Sequence, residues 1–397
     1  FTICYLYYRI LYDRWNNAIY QLFWVGDLNM RKVLHFVSRM DRAGQETFLM
    51  NMYRGINRDS VQFGFLCSKD GRGDYDEEIL LLGGNIYHCE LNQKSGKLRH
   101  LDNFNRLVAE FEKYKDDYDI VHIHNYHAFD MTISAAAALK AGMKNVIVHS
   151  HNACADSHLK LHHIFRPILS ALPVTRLACS NDAGKWMYTK DFTVIRNGID
   201  VNKFSYDRKL RQSKRKELGI SDKFVVGHVG RFEPQKNHEF LVKVFSEFLK
   251  ANPDTVLLLI GQGSRRETIQ ALAKQLDITN NVFFMGVRED TAEIYQAMDA
   301  FLFPSLFEGL GIVAVEAQTS GLPCIISDIL PRDLDITTNI YRCNLNDPIQ
   351  KWTNCLQLVR ENVEKGERID CSEKIRKAGY DSVDSISKLE AIYLNLR

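Results

Sequence analysis

Two carboxylates eight residues apart, Glu308 and Glu316, flank a Gly-x-Gly bend in the stretch FEGLGIVAVEAQTSGLP at 307–323. The glycines let backbone N–H groups come close to a ligand, and the start of the helix that follows favours an anion. A bare phosphate there would repel Glu308. A phosphate carrying hydroxyl groups would not, because a carboxylate accepts hydrogen bonds from them, as it would from a sugar. Glu316 falls about five residues into the helix, over a turn further along, where a second polyol such as ribose fits. Taken singly, each acid also reads as an ordinary helix residue, one favoured at a helix start by the dipole and the other exposed on its surface. The apolar context IVAVEA weighs against that second reading for Glu316.

A second constellation is GHVGRFEPQKNHEFL at 227–241, where a strand ends in Gly230-Arg231 and Lys236 stands just before the next helix. Arginine offers a planar fork and lysine a point charge, together suited to a diphosphate. These fixed cations would then do the work of a metal ion. As isolated residues they are equally compatible with solvated loop charges. Their place at the carboxyl end of a parallel strand favours the site reading. A third is rich in histidine: VHIHNYH (His122, His124, His127) and VHSHN (His149, His151). His-x-His on a strand points both rings to one face. No HExxH motif occurs and no acidic ligand sits nearby in sequence, so we expect no metal and read these histidines as hydrogen-bond donors at a cleft. GQGSRR at 261–266 lacks the third glycine of a dinucleotide fingerprint, and neither GxSxG nor GxxxxGK[ST] is present.

These residues need a scaffold that delivers strand ends to one place. From Met30 onward, short apolar runs alternate with helical patterns. VLHFV (33–37), VQFGFLC (61–67), NIYHCEL (85–91), IVHIH (120–124), NVIVHSH (145–151) and TRLACS (175–180) read as strands, as do VVGHVG (225–230), VLLLIG (256–261), VFFMG (282–286), AFLFP (300–304) and CIIS (324–327). Runs this apolar are buried on both faces, as in parallel sheets. Each half reads as a doubly wound α/β domain. Between the halves, Asn197-Gly198 and the charged stretch up to Ser221 read as an interdomain linker poor in helix. At 397 residues, 45% of them hydrophobic, two domains are expected. The formal net charge of +2, from 51 basic and 49 acidic residues, speaks against a nucleic-acid partner. The nine cysteines are scattered singly without a CxxC, which suggests a reduced, cytoplasmic compartment rather than a disulfide framework.

Residues 1–29 are aromatic-rich, interrupted by Arg9, Asp13 and Arg14, with no small-residue cleavage site after them. They read as an upstream extension without a role in the fold, or as an amphipathic helix touching a membrane.

Together these motifs resemble the family 4 retaining glycosyltransferases of the GT-B fold, especially bacterial capsular and exopolysaccharide enzymes. The resemblance runs from about Met30 to the end of the chain. It is carried in order by VIRNGIDVNKF, GRFEPQKNHEFL, LLLIGQGSRRETI, VFFMGVREDTAEIY and AFLFPSLFEGLGIVAVEAQTSGLP, and the opening acids are the family's E-x7-E pair. It implies two Rossmann-like domains facing a central cleft. Residues 30–200 would bind the acceptor, 201–376 the nucleotide-sugar donor, and 377–397 would cross back onto the first domain. Glu308 would hold the donor sugar's hydroxyls and Glu316 the ribose. Arg231 and Lys236 would bind the diphosphate, helped by the amides of Leu310 and Gly311. Val287 and Arg288 stand where the family recognises the base, partly by backbone. His151 matches the N-domain histidine near the transferred sugar, and Gly44 in DRAGQE the glycine loop that approaches the phosphates. The family usually has two glycines there; Ala43 replaces the first.

The implied reaction is attack of an acceptor hydroxyl on the anomeric carbon of a hexose, with configuration retained, on the face the diphosphate leaves. It uses no metal or cofactor beyond the nucleotide-diphosphate sugar. The implied acceptor is a glycan or lipid-linked saccharide, which would bring the protein to the inner face of the cell membrane as a peripheral contact. A nucleotide-sugar 2-epimerase and a catalytically silent subunit are the rival readings. The context of the E-x7-E pair argues against the first, and intact Glu308, Arg231, Lys236 and His151 against the second.

Overall fold

The computed structural model describes residues 30–89, 91, 99–152, 159–366 and 368–396. The aromatic-rich stretch 1–29 lies outside them. Among the described residues thirteen strands form two parallel sheets. The first holds β1 (Arg31–Val37), β2 (Val61–Cys67), β3 (Asn85–His88), β4 (Ile120–His124), β5 (Asn145–Ser150), β6 (Thr175–Ala178) and β7 (Thr193–Val194) in the order β3-β2-β1-β4-β5-β6-β7. The second holds β8 (Phe224–Val229), β9 (Thr255–Ile260), β10 (Val282–Gly286), β11 (Ala300–Phe303), β12 (Cys324–Ser327) and β13 (Ile340–Cys343) in the order β10-β9-β8-β11-β12-β13. Every residue of β4, β9, β11 and β12 is buried, because helices cover both faces of each sheet.

In each sheet the strand order reverses once, between β1 and β4 and between β8 and β11. The loops after those strands diverge to opposite faces and leave a crevice at their carboxyl ends. The loop after β1 carries Gly44, the loop after β8 carries Arg231 and Lys236, and the loop after β11 carries Glu308.

The stretch read as a linker poor in helix contains two helices, Val201–Phe204 and Arg208–Glu217. The second, RKLRQSKRKE, has almost no apolar face, so hydrophobic periodicity could not reveal it. It is held by charge instead: Arg215 Nη1 reaches Asp299 Oδ2 at 3.0 Å, and Lys214 Nζ lies 3.0 Å from Asp290 and 2.7 Å from Glu293. Asp207 caps it, accepting from the Lys209 and Leu210 amides. The short strands β7 and β13 went unread because they are partly exposed edge strands.

The last helix, Ser382–Asn395, leaves the second sheet and packs on the first. Its Leu389 and Tyr393 are fully buried beside Val33, Phe63 and Met52. The chain passes between the sheets twice, near Ile199 and near Tyr380, and the passages are bonded together. The Ile199 amide donates to the Tyr380 carbonyl at 2.9 Å, and the Ser382 amide to the Ile199 carbonyl at 2.9 Å. The described cysteines are free thiols, and among the described residues no helix is long and apolar enough to cross a membrane.

Candidate active site

The loop after β11 turns into the helix Ile312–Thr319 through Gly311, whose φ of 82° only glycine adopts without strain. No side chain caps this helix start. Glu308, 9% exposed, precedes it. Lys236 Nζ lies 2.6 Å from Glu308 Oε1, while Gln235 Nε2 donates to Glu308 Oε2 at 3.3 Å and to the Phe307 carbonyl at 2.9 Å. Two residues 72 apart in sequence are thereby joined as a largely buried ion pair. Lys236 also stands over the Phe303 ring, 5.0 Å from its centroid.

Glu316 sits one turn into the helix, half-buried, and accepts from the Tyr295 hydroxyl at 2.9 Å. Burial pushes its carboxyl up to about 7, and the Tyr295 bond offsets only part of that. Leu310 is buried in the second sheet's core, which holds the loop amides in place. Val287 is exposed after β10. The Arg288 side chain is drawn aside into a fork on Asp290 at 2.8 and 2.7 Å, leaving backbone at that point of the crevice rim.

Arg231 is exposed at the end of β8. Its charge acts on Glu46 and Tyr126 of the other domain. The loop carrying Glu308 packs against the first domain at Gly309, where a Cβ would lie 2.3 Å from the His151 carbonyl oxygen. His151 follows β5 with its ring buried, and its Nε2 lies 2.9 Å from His124 Nδ1. Across from it, Gly44 opens the helix Gly44–Gly55, whose N-cap Ala43 provides no side-chain cap. Ala43 has φ −130° and ψ 172°, an extended conformation open to any residue, so the missing first glycine imposes no strain. Nothing lies within 4 Å of a Cβ placed on Gly44.

The structure thus joins Glu308 to Lys236, sets the neighbouring Gly309 against the His151 backbone and brings the charge of Arg231 to bear on Glu46 of the Gly44 helix, while Glu316, Val287 and Arg288 belong to other parts of the second domain. It departs from the reading of the strand histidines. His122, His124 and His149 are buried within the first sheet rather than facing the crevice, because β1, β4 and β5 are central strands with covered faces. His127 stands at the N-cap of the helix Ala128–Ala141.

Sequence reasoning missed Glu46. It is 3% exposed in the first turn of the Gly44 helix, and its Oε2 is buried without a hydrogen-bond partner. Burial pushes its carboxyl up to about 7, Asp41 adds to this, and Arg231 and Lys69 oppose it. From sequence it is indistinguishable from any acid that complements a helix dipole. Tyr295 and Gln235 were equally silent, since their partners are distant in the chain.

Residues 42–203 match the family described as Glycosyltransferase Family 4, and residues 211–338 the one described as Glycosyl transferases group 1. EpsF of Bacillus subtilis (strain 168), described as a glycosyltransferase, is 31% identical over 378 residues, spanning 92% of this chain and 97% of that protein. A UDP-Gal:alpha-D-GlcNAc-diphosphoundecaprenol alpha-1,3-galactosyltransferase of Escherichia coli is 30% identical over 302 residues, 71% of this chain and 76% of that one. Among solved structures, Anabaena Alr3699/HepE in complex with UDP and glucose superposes with a TM-score of 0.74 at 20% identity, over 91% of this chain and 99% of that chain, a likeness of fold. Two facing Rossmann-like domains, an E-x7-E pair at the mouth of the second and a near full-length relative lead to one assignment: the chain belongs to the family 4 glycosyltransferases of the GT-B fold.

Proposed function

We propose that this glycosyltransferase moves a hexose from a nucleoside-diphosphate sugar to a hydroxyl of a glycan or lipid-linked saccharide, retaining the anomeric configuration and needing no metal ion. The observation that supports it best is the convergence on one gap of exposed Arg231, the Lys236–Glu308 pair and two helix starts without side-chain caps. Such a gap is positive where a diphosphate would lie, and it carries a carboxylate where sugar hydroxyls would lie. In the ligand-free state Lys236 neutralises Glu308. As donor enters, Lys236 turns to a phosphate oxygen and the Glu308 carboxylate accepts from sugar hydroxyls, so each charge exchanges one partner for another.

As the anomeric C–O bond breaks, negative charge builds on the departing diphosphate. Arg231, Lys236 and the Leu310 and Gly311 amides are placed to stabilise it, and preorganised donors of this kind dominate many barriers. The acceptor hydroxyl attacks from the same face and its proton leaves with the diphosphate oxygen. Glu316 holds the ribose, and the Val287–Arg288 backbone meets the base. The E. coli relative acts on a diphosphoundecaprenol-linked sugar, which supports a lipid-linked acceptor for this chain and with it work at a membrane surface. We assign it to surface-polysaccharide assembly in the cytoplasm.

The test is a melting screen with UDP-, GDP- and ADP-sugars, since a ligand that binds only the folded state raises its stability. The nucleotide that raises Tm is then supplied with lipid-linked saccharides, and the product's anomeric configuration is read by NMR. An inverted product refutes retention. Conversion of the donor without acceptor would establish an epimerase instead.

A further inference from the structure

Five histidines line up beneath the crevice: His35 on β1, His122 and His124 on β4, His149 at the end of β5 and His151 just beyond it. His35 pairs in register with His122, and His124 with His149. Four of the rings are almost wholly inaccessible and His151 is 8% exposed. Three of them form a chain. His35 Nδ1 lies 3.1 Å from His124 Nε2, and His124 Nδ1 lies 2.9 Å from His151 Nε2. His122 stands outside that chain, bonded to the Tyr393 hydroxyl at 2.7 Å.

Burial drives all five imidazoles well below their usual range, so they are neutral. A neutral ring carries one N–H and one lone pair. In a bonded chain of three such rings, fixing one proton fixes the other two. The two free ends are His35 Nε2 and His151 Nδ1, both buried without a hydrogen-bond partner. One end must bear an N–H. At His35 that donor would sit among Phe63, Phe65 and Tyr393, with ring centroids 4.3, 5.4 and 6.4 Å away, where no oxygen of a ligand can enter. At His151, the most exposed of the three rings at 8% against 0% for His35, it lies just past the end of β5, beside the backbone that meets Gly309 of the donor domain. A permanently unpaired N–H costs more than an unused lone pair. The chain therefore runs outward, with His35 donating to His124 and His124 to His151.

We propose that His124 and His35 are positioning residues that hold His151 as the Nδ1–H tautomer, so that its ring presents a hydrogen-bond donor to an oxygen of the sugar substrate. This rests on the reading of His151 as the residue beside the transferred sugar. The same rings bring three nitrogens within 4.8 Å of one another in two groupings, His35–His122–His124 and His124–His149–His151. No carboxylate joins them in these hydrogen bonds, and a buried dication among neutral rings would lack compensating charge.

The tautomers are read directly from long-range proton–nitrogen spectra of the full chain labelled with ¹⁵N-histidine, with His151 identified by the signals lost in His151→Gln. We expect a protonated Nδ1 and a bare Nε2 on His151. The opposite tautomer, or averaged signals, would overturn the proposal. So would stoichiometric zinc or nickel in the purified protein by elemental analysis. His124→Leu should melt as a folded protein and lose about tenfold in kcat with donor KM little changed, a loss typical of removing the group that orients a working histidine. His124→Asn, whose amide can donate from the place of Nδ1, should recover most of it. A folded His124→Leu with unchanged kcat also overturns the proposal. A His151→Ala enzyme that transfers sugar normally would refute the sugar contact, an outcome separate from the tautomer spectrum.

Discussion

At the scale of single residues, the Lys236–Glu308 bond separates two cations that look alike in sequence. Arg231 is exposed, so Arg231→Ala should keep its melting temperature and lose on the order of 3 kcal/mol of barrier lowering, about a hundredfold in kcat. Lys236→Ala should lose as much activity and also melt lower, because it leaves the Glu308 charge buried without its partner. Near-wild-type transfer by both variants would refute the diphosphate assignment. The two acids should differ in kind. In the proposed reaction Glu308 sits where charge develops, so Glu308→Gln should chiefly lower kcat. In the same proposal Glu316 faces a part of the donor that does not change, so Glu316→Gln should chiefly raise donor KM. Glutamine can still accept from Tyr295, so a Glu316→Gln that melts much lower with unchanged KM would show a packing role only. Glu46 supplies a pH signature. The unfolded chain releases its proton near 4.5 and the folded chain near 7, so the folded state holds more protons between those values and loses stability as pH rises through them. Above about 7 the full penalty, on the order of 3 kcal/mol, is present. Glu46→Gln should therefore melt higher relative to wild type at pH 8 than at pH 4.5; an equal gap at both values would contradict this.

At the scale of elements, the crevice depends on two loops that tolerate side chains differently. Gly309→Ala would press a methyl group against the His151 carbonyl, which is backbone and cannot swing away. The domains would be held apart by about 1 Å, and a misplacement of that size costs up to a hundredfold in rate. Gly44→Ala meets only open space and lies in a helix, so its melting temperature should hold or rise slightly. If the diphosphate approaches that helix start, the same methyl group should raise donor KM. Steady-state kinetics with varied donor, beside melting curves for both variants, decides the matter. Unchanged kinetics in both would mean that neither loop touches the donor.

At the scale of the whole molecule, the two interdomain passages are bonded side by side through Ile199, Tyr380 and Ser382, and Arg196 adds a 2.9 Å bond to the Tyr380 hydroxyl. At the mouth the domains meet through the Gly309 and His151 backbone, while the Arg42–Glu289 ion pair is long at 3.8 Å and both its side chains are solvent-exposed. Such a pair contributes almost nothing to stability. Charge supply follows the same division. In the proposed reaction Arg231 and Lys236 of the second domain take the diphosphate's charge, so activity should survive EDTA. A complete loss restored by Mg²⁺ or Mn²⁺ would overturn metal independence.

Much of this was legible in the sequence. Strands buried on both faces write themselves as unbroken apolar runs, which is why β2, β4 and β12 match their stretches residue for residue; β10 also matches, although it is a largely uncovered edge strand. The E-x7-E pair, Arg231 and Lys236 stood out because local spacing around glycines and strand ends constrains chemistry directly. What depended on distant partners was not legible. The Arg208–Glu217 helix is stabilised by acids that lie 76 to 88 residues further on. Glu46 became a candidate only when folding buried it opposite Arg231. The histidines showed their spacing but not their depth. Whether a ring on β4 meets solvent or another ring depends on which strands flank it, and that order is a property of the sheet as a whole, decided only when β1 and β5 close around it.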